Sequence, residues 1–186
     1  GAERMLERLA LAQSRKDNEL VTSIVSLTDL GVLGASLRER GVSVDVLHWR
    51  GFVDLPSMIW RLARLLRTLQ PDVVQTWMYH ADLFGGIAAR LAGVKGLVWG
   101  IRTTHLPDNA PWSTRFARRA CALLSSQLPD VIVCNASVAR DVHVDLGYSP
   151  NKMRVVPNGF DTARFSATGE GVSELREQWR AAIGAG

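Results

Sequence analysis

The sequence predicts a doubly wound α/β fold, a mostly parallel sheet with helices on both faces. Helical and strand patterns alternate along the whole chain, which is the order that builds such a sheet. Glycine and proline punctuate that alternation. With 186 residues and 47% hydrophobic content, the chain can also bury a sizeable core.

The elements follow in order. Residues 2–14 read as a helix with Met5, Leu6, Leu9 and Ala12 on one face, and Leu20 to Leu27 as a buried strand. A short helix over Leu33 to Arg40 stops at Gly41, and Val42 to Leu47 is the second strand. Leu55 to Gln70 is the clearest amphipathic helix, because Met58, Ile59, Leu62, Leu65, Leu66 and Leu69 recur at helical spacing before Pro71 ends it. Asp72 to Trp77 is a strand, 80–92 a helix closed by Gly93, and Leu97 to Ile101 the next strand. A loop with Pro107 and Pro111 precedes a helix over 112–128. Val131 to Cys134, a helix over 136–146 and Met153 to Val156 complete the series, and Pro157-Asn158-Gly159 turns the chain. Residues 1–165 read as one domain, with 166–171 a linker into a last short helix over 172–182.

Bulk properties exclude several classes. No apolar run reaches the roughly 18 residues of a membrane-spanning helix, and the charged opening does not resemble a signal peptide, so a cytoplasmic protein is expected. The net charge of +4 suits an anionic surface or a phosphorylated ligand. Nucleic acid is not an expected partner, since no dense Lys/Arg block is interleaved with aromatics. Cys121 and Cys134 lie in an apolar helix and strand without metal-ligand spacing, and read as core residues. Phosphate-loop, dinucleotide and nucleophile-elbow motifs are absent from the sequence.

Ligands of parallel sheets bind at the carboxyl ends of the strands. Four polar loops stand there: Trp77 to His80, Arg102 to His105, Asn135 to Ser137, and Asn158-Gly159. His80 and His105 can each serve as a general base or hydrogen-bond an acceptor hydroxyl, because an unperturbed imidazole titrates near neutral pH, although His80 or Asp82 can equally cap the following helix. Arg102 emerges from an apolar strand and can hold a phosphate or carboxylate with paired donors. Asn135 and Ser137 read as helix caps.

The run Val155-Val156-Pro157-Asn158-Gly159-Phe160-Asp161-Thr162-Ala163-Arg164-Phe165 resembles the interdomain signature of glycosyltransferase family 4. Gly1 to Leu6 is similar to the start of that family's first helix, and Leu83 to Gly93 continues the likeness. The resemblance implies a GT-B fold, two Rossmann-like domains facing a cleft, of which this chain is the acceptor side with the first strand absent. It implies sugar transfer with retention, no metal and no cofactor, the nucleotide sugar being a substrate bound by a C-terminal donor domain. It also implies work on cell-surface polysaccharide or lipopolysaccharide, with a sugar or lipid-linked acceptor as partner. Many relatives have His-x-His where this chain has Gln75-Thr76-Trp77, and a His where it has Arg102. His80, Arg102, Thr103 and His105 are thus the expected acceptor-binding residues, and Asn158 and Gly159 the interdomain hinge.

The paired glutamates of the family's donor domain have no match, so the chain alone is expected to be inactive. A binding module without chemistry, or a sugar epimerase of the same fold, are the alternatives. Finally, Trp60, Arg64 and Arg67 fall together opposite the leucine stripe of the 55–70 helix, while Arg115, Arg118 and Arg119 share the polar side of the 112–128 helix. Tryptophan beside arginine suits an anionic headgroup layer, and Trp60, Arg64 and Arg67 are the expected face of peripheral attachment at the inner side of the membrane.

Overall fold

The computed structural model describes residues 1–14, 20–160 and 172–183. The expected linker over 166–171 and the 165/166 domain boundary lie outside the described residues.

The alternation of elements becomes α1 (Ala2–Gln13), β1 (Ser23–Ser26), α2 (Gly31–Glu39), β2 (Ser43–Val46), α3 (Leu55–Leu69), β3 (Val73–Gln75), α4 (Gly86–Ala92), β4 (Gly96–Ile101), α5 (Trp112–Leu124), β5 (Val131–Cys134), α6 (Ser137–Asp145), β6 (Met153–Val155) and α7 (Val172–Ile183). Every strand pairing is parallel. Among the described residues the strands do not form one continuous sheet, however: β1 pairs with β2, and β3-β4-β5-β6 form a separate sheet. Among the described residues β1 and β3 therefore each pair on one side only.

Each sheet carries its own apolar cluster. Ala10, Leu37, Val42 and Val44 pack under the small sheet. The larger core gathers Met58, Leu62 and Leu66 of α3, Ala88 and Ala89 of α4, Leu97, Trp99 and Ile101 of β4, and Ile132 and Cys134 of β5. Ile24 belongs to the first cluster and Val25 to the second, so the two faces of β1 join them.

Element ends differ from expectation for local reasons. The 80–92 helix opens as a π-helical turn, Ala81–Gly85, before α4 begins. α5 ends at Leu124, four residues before the expected stop, where the Ser125 hydroxyl donates to the Ala122 carbonyl. On α1 the buried residues are Glu7 and Ala10, with Met5, Leu6 and Leu9 half-buried and Ala12 exposed. Glu7 is held by Arg4 at 3.1 Å and by the Ser36 hydroxyl.

The carboxyl ends of β3 and β4 are fixed by a close approach. Thr76 N–H donates to the Val98 carbonyl at 2.9 Å and Met78 N–H to the Gly100 carbonyl at 3.2 Å, extending the ladder beyond the strands. A β-carbon on Gly100 would stand 2.5 Å from the Thr76 carbonyl oxygen. Only glycine lets the two backbones meet there.

Candidate functional site

Because the strands are parallel, the loops after β2, β3, β4, β5 and β6 gather along one edge of the sheets. Two non-glycine residues on that edge hold positive φ, His48 at 52° after β2 and Met78 at 75° after β3. Such backbone is uncommon away from glycine and collects at ligand-binding loops.

Arg102 is the centre of the edge. Its guanidinium carbon lies 3.7 Å from the centroid of the Trp77 ring. Its Nη1 donates to Asn158 Oδ1 at 3.3 Å, while its buried Nε has no hydrogen-bond partner. Burial lowers its pKa and the nearby Asp82 opposes that shift. Asn158, the middle residue of the turn after β6, is thus tied to the end of β4. The same turn is touched from α1, where the Arg8 guanidinium sits 5.5 Å above the Phe160 ring. Gly159 is exposed, with open space around it.

Behind Arg102 lies a carboxylate that sequence reasoning saw only as a helix cap. Asp82 is fully buried in the π-helical turn. Its Oδ1 accepts the Thr76 hydroxyl at 2.6 Å and the Gly100 amide at 3.3 Å. Desolvation pushes its pKa up to about 7, although both hydrogen bonds and Arg102 favour the charged form. Neither His80 nor Asp82 makes a side-chain cap. The signal was long-range: Thr76, Asp82 and Gly100 meet only once β3 and β4 are in register.

His80 is half-buried between aromatic walls, its ring 5.8 Å from Trp49 and 6.2 Å from Phe84. Desolvation lowers its pKa, so the imidazole is neutral at pH 7 and can accept a proton or a hydrogen bond. Thr103 donates through its hydroxyl to the His105 carbonyl at 2.9 Å, and the His105 side chain is exposed. The structure brings Arg102 and Asn158 together, but no hydrogen bond joins Arg102 to His105 or His80. Asn135 and Ser137 do not cap α6: the N-cap is Ala136, without a side-chain hydrogen bond.

A second buried polar chain supports the edge from below. Tyr79 Oη and His143 Nε2 are 2.8 Å apart, and His143 Nδ1 is 2.7 Å from the Ala139 carbonyl oxygen. Nδ1–H donates to that carbonyl, so Nε2 accepts from the tyrosine hydroxyl. Burial lowers the His143 pKa and raises that of Tyr79 to about 12. Burial likewise raises both cysteine thiols, Cys134 to about 11, so both stay protonated at neutral pH.

On the expected membrane face of α3, Arg64 stacks on the exposed Trp60 ring at 5.6 Å. Arg67 instead donates to the Leu91 carbonyl at 2.6 Å. On α5, Arg115 and Arg119 are exposed and Arg118 turns inward toward the Tyr79 hydroxyl, so the three do not share one face. No helix among the described residues is long and apolar enough to cross a membrane.

Parallel strands, helices on both faces and a polar edge at the strand ends define a Rossmann-like half of the GT-B type. The chain belongs to glycosyltransferase family 4, whose sequence model matches residues 1–164. A curated relative, the Escherichia coli UDP-Gal:α-D-GlcNAc-diphosphoundecaprenol α-1,3-galactosyltransferase, is 26% identical over 114 residues, which cover 61% of this chain and 29% of that protein. Among solved structures, Anabaena HepE in complex with UDP-glucose superposes with a TM-score of 0.74 at 19% identity, over 96% of this chain and 46% of that one. Acinetobacter baumannii MurG gives a TM-score of 0.59 at 14% identity, over 87% of this chain and 43% of MurG. The chain thus spans less than half the length of each of these proteins.

Proposed function

We propose that the chain is the acceptor-side half of a retaining glycosyltransferase that works in the cytoplasm, at the inner face of the membrane. It moves a sugar from a nucleotide sugar, held by a separate donor domain, to a sugar or lipid-linked acceptor in cell-surface polysaccharide or lipopolysaccharide synthesis. The observation that carries the reading is the contact between Arg102, on a strand end, and Asn158, in the turn expected to be the hinge. A cation fixed at that junction faces both an acceptor on the sheet edge and a donor beyond the turn. The named acceptor of the E. coli relative is a lipid diphosphate, which accords with an arginine at this position.

In this reading Arg102 neutralises an acceptor phosphate or the charge developing on the leaving nucleotide diphosphate. Trp77 holds the guanidinium plane in place, and Asp82 limits its movement from behind. Neutral His80 accepts a hydrogen bond from the attacking hydroxyl and orients it, while Thr103 and His105 form the outer wall. Asn158 and Gly159 carry the hinge motion.

The test is a transfer assay on this half joined to its donor domain, with UDP-galactose and UDP-glucose as donors and a GlcNAc-diphospholipid as acceptor. Transfer with retained anomeric configuration is expected, and it should depend on Arg102. Epimerised nucleotide sugar formed without acceptor would overturn the reading.

A further inference from the structure

Beyond His80 the aromatic walls continue outward along the edge. The Trp49 ring stands 5.8 Å from His80 and 6.2 Å from Phe52, and Phe52 stacks on Trp112 with ring centroids 5.1 Å apart and planes 20° from parallel. These rings come from the segment after β2, the turn before α3 and the first residue of α5, so only the fold brings them together. His80 and Trp49 are half-buried, whereas Phe52 is 37% and Trp112 68% exposed. The outer end of the row thus keeps an apolar ring surface in water, at an edge that is otherwise polar.

The turn that carries Phe52 is pinned in place. Gly51 has φ 131°, a conformation that favours glycine, and its carbonyl accepts from Trp49 Nε1 at 2.6 Å and from the Asp54 amide at 3.1 Å. Arg50, Gly51, Phe52, Val53 and Asp54 line a cavity of about 400 Å³. Two charged side chains belong to its wall. Arg50 is exposed and takes part in no ion pair among the described residues. Asp54 Oδ2 accepts from Arg61 Nη2 at 3.1 Å, which leaves Oδ1 to accept from a further donor, and the buried Arg61 Nε has no hydrogen-bond partner.

We infer that this turn and Trp112 form a subsite for a pyranose ring of an uncharged glycan. A pyranose presents a face of C–H bonds and a rim of hydroxyls. The face gains dispersion contact on a flat aromatic surface, and the rim needs directed donors and acceptors. Phe52 and Trp112 supply the surface, Arg50 the donors and Asp54 Oδ1 the acceptor. The same carboxylate repels a phosphate, so the cavity selects a neutral sugar where Arg102 selects an anion. Because the row of rings leads back to His80, the subsite holds a further sugar of the acceptor. That placement rests on the transfer reading; the binding of the sugar does not.

Saturation-transfer NMR and calorimetry of the 186-residue chain test the inference, with the methyl glycosides of glucose, galactose and N-acetylglucosamine and with cellobiose, lactose and chitobiose. Saturable binding of at least one of these sugars is expected, with a Kd on the order of 1 mM. Transfer should be strongest to the C–H protons of one ring face. Phe52→Ala, Trp112→Ala and Asp54→Asn should each weaken binding at least fivefold, with circular dichroism unchanged, and Trp60→Ala on α3 should leave it as it is. Arg50→Ala, on an exposed side chain, should weaken it too and gives a second reading if an aromatic variant fails to fold. Inorganic pyrophosphate should not displace the sugar. No binding across the series, binding undiminished by the Phe52, Trp112 and Arg50 variants, or displacement by pyrophosphate would overturn the inference. Sugar binding that follows these variants, in a chain whose two-domain assembly transfers nothing, would sink the transfer reading and leave the subsite standing.

Discussion

Arg102 donates to Asn158 across 56 residues of sequence, and the same guanidinium stacks on Trp77 at 3.7 Å. One side chain thereby joins the ends of β3 and β4 to the turn after β6. In the proposed assembly of this half with a donor domain, Arg102→Ala should lower kcat/KM for sugar transfer by roughly 10- to 100-fold, with little change in melting temperature. Arg102→Lys should restore only part of it, because an ammonium keeps the charge but not the planar stack. Steady-state kinetics beside thermal melts would separate the two effects; equal activity in wild type and Arg102→Ala would make the residue a surface charge.

The pKa of Asp82 is raised from 3.8 to about 7 in the folded chain. Between those values the unfolded chain is ionised and the folded one holds a proton, so this group favours folding below pH 4 and that contribution is lost as pH rises to 7. Asp82→Asn keeps the acceptor for Thr76 and Gly100 but removes the titration. The stability of wild type relative to Asp82→Asn should fall by at most about 1.4 kcal/mol per pH unit across that window and level off above it. Urea melts at half-unit pH intervals would measure the difference, and a flat difference would mean that Asp82 is ionised in the fold.

His143 gives the opposite slope. Its folded pKa lies below 6.5, so its contribution to stability is complete above pH 6.5 and is lost as pH falls toward the folded value. Tyr79→Phe leaves the buried Nε2 without its donor and should cost about 1–3 kcal/mol at pH 7.5. Denaturant unfolding at pH 7.5 and 5.5 checks both statements; a Tyr79→Phe variant as stable as wild type would show that the 2.8 Å contact does not hold the core.

Gly100→Ala should destabilise the chain by about 1–3 kcal/mol, since its β-carbon would press on the Thr76 carbonyl and force β3 from β4. The disturbance should reach the Thr76–Asp82 bond as well. Hydrogen exchange of the Thr76 and Met78 amides would read it locally, and unchanged protection would contradict the close approach.

Much of this arrangement was legible in the sequence because it rests on local pattern. The leucine stripe of α3, the apolar run of β5 and the glycine after α4 mark elements that the structure reproduces within a few residues. The polar loops at the strand ends were legible too, since chain direction in a parallel sheet decides where they gather. What escaped was set by long-range register. Asp82 looks like a first-turn acid, and only the meeting of β3 and β4 buries it beneath Thr76 and Gly100. The pairing of His143 with Tyr79 spans 64 residues, and no periodicity in α6 announces it. Arg118 turns inward to Tyr79 while Arg115 and Arg119 face out, a division that depends on how α5 packs.

Calorimetric titration of the 186-residue chain with UDP-galactose, UDP-glucose and a short-chain GlcNAc-diphospholipid tests the central claim most directly. An acceptor-side half should bind the diphospholipid saturably, and more weakly after Arg102→Ala, while heats for the nucleotide sugars stay at the level of dilution. Saturable micromolar binding of a nucleotide sugar to this chain, with none of the acceptor, would contradict the account.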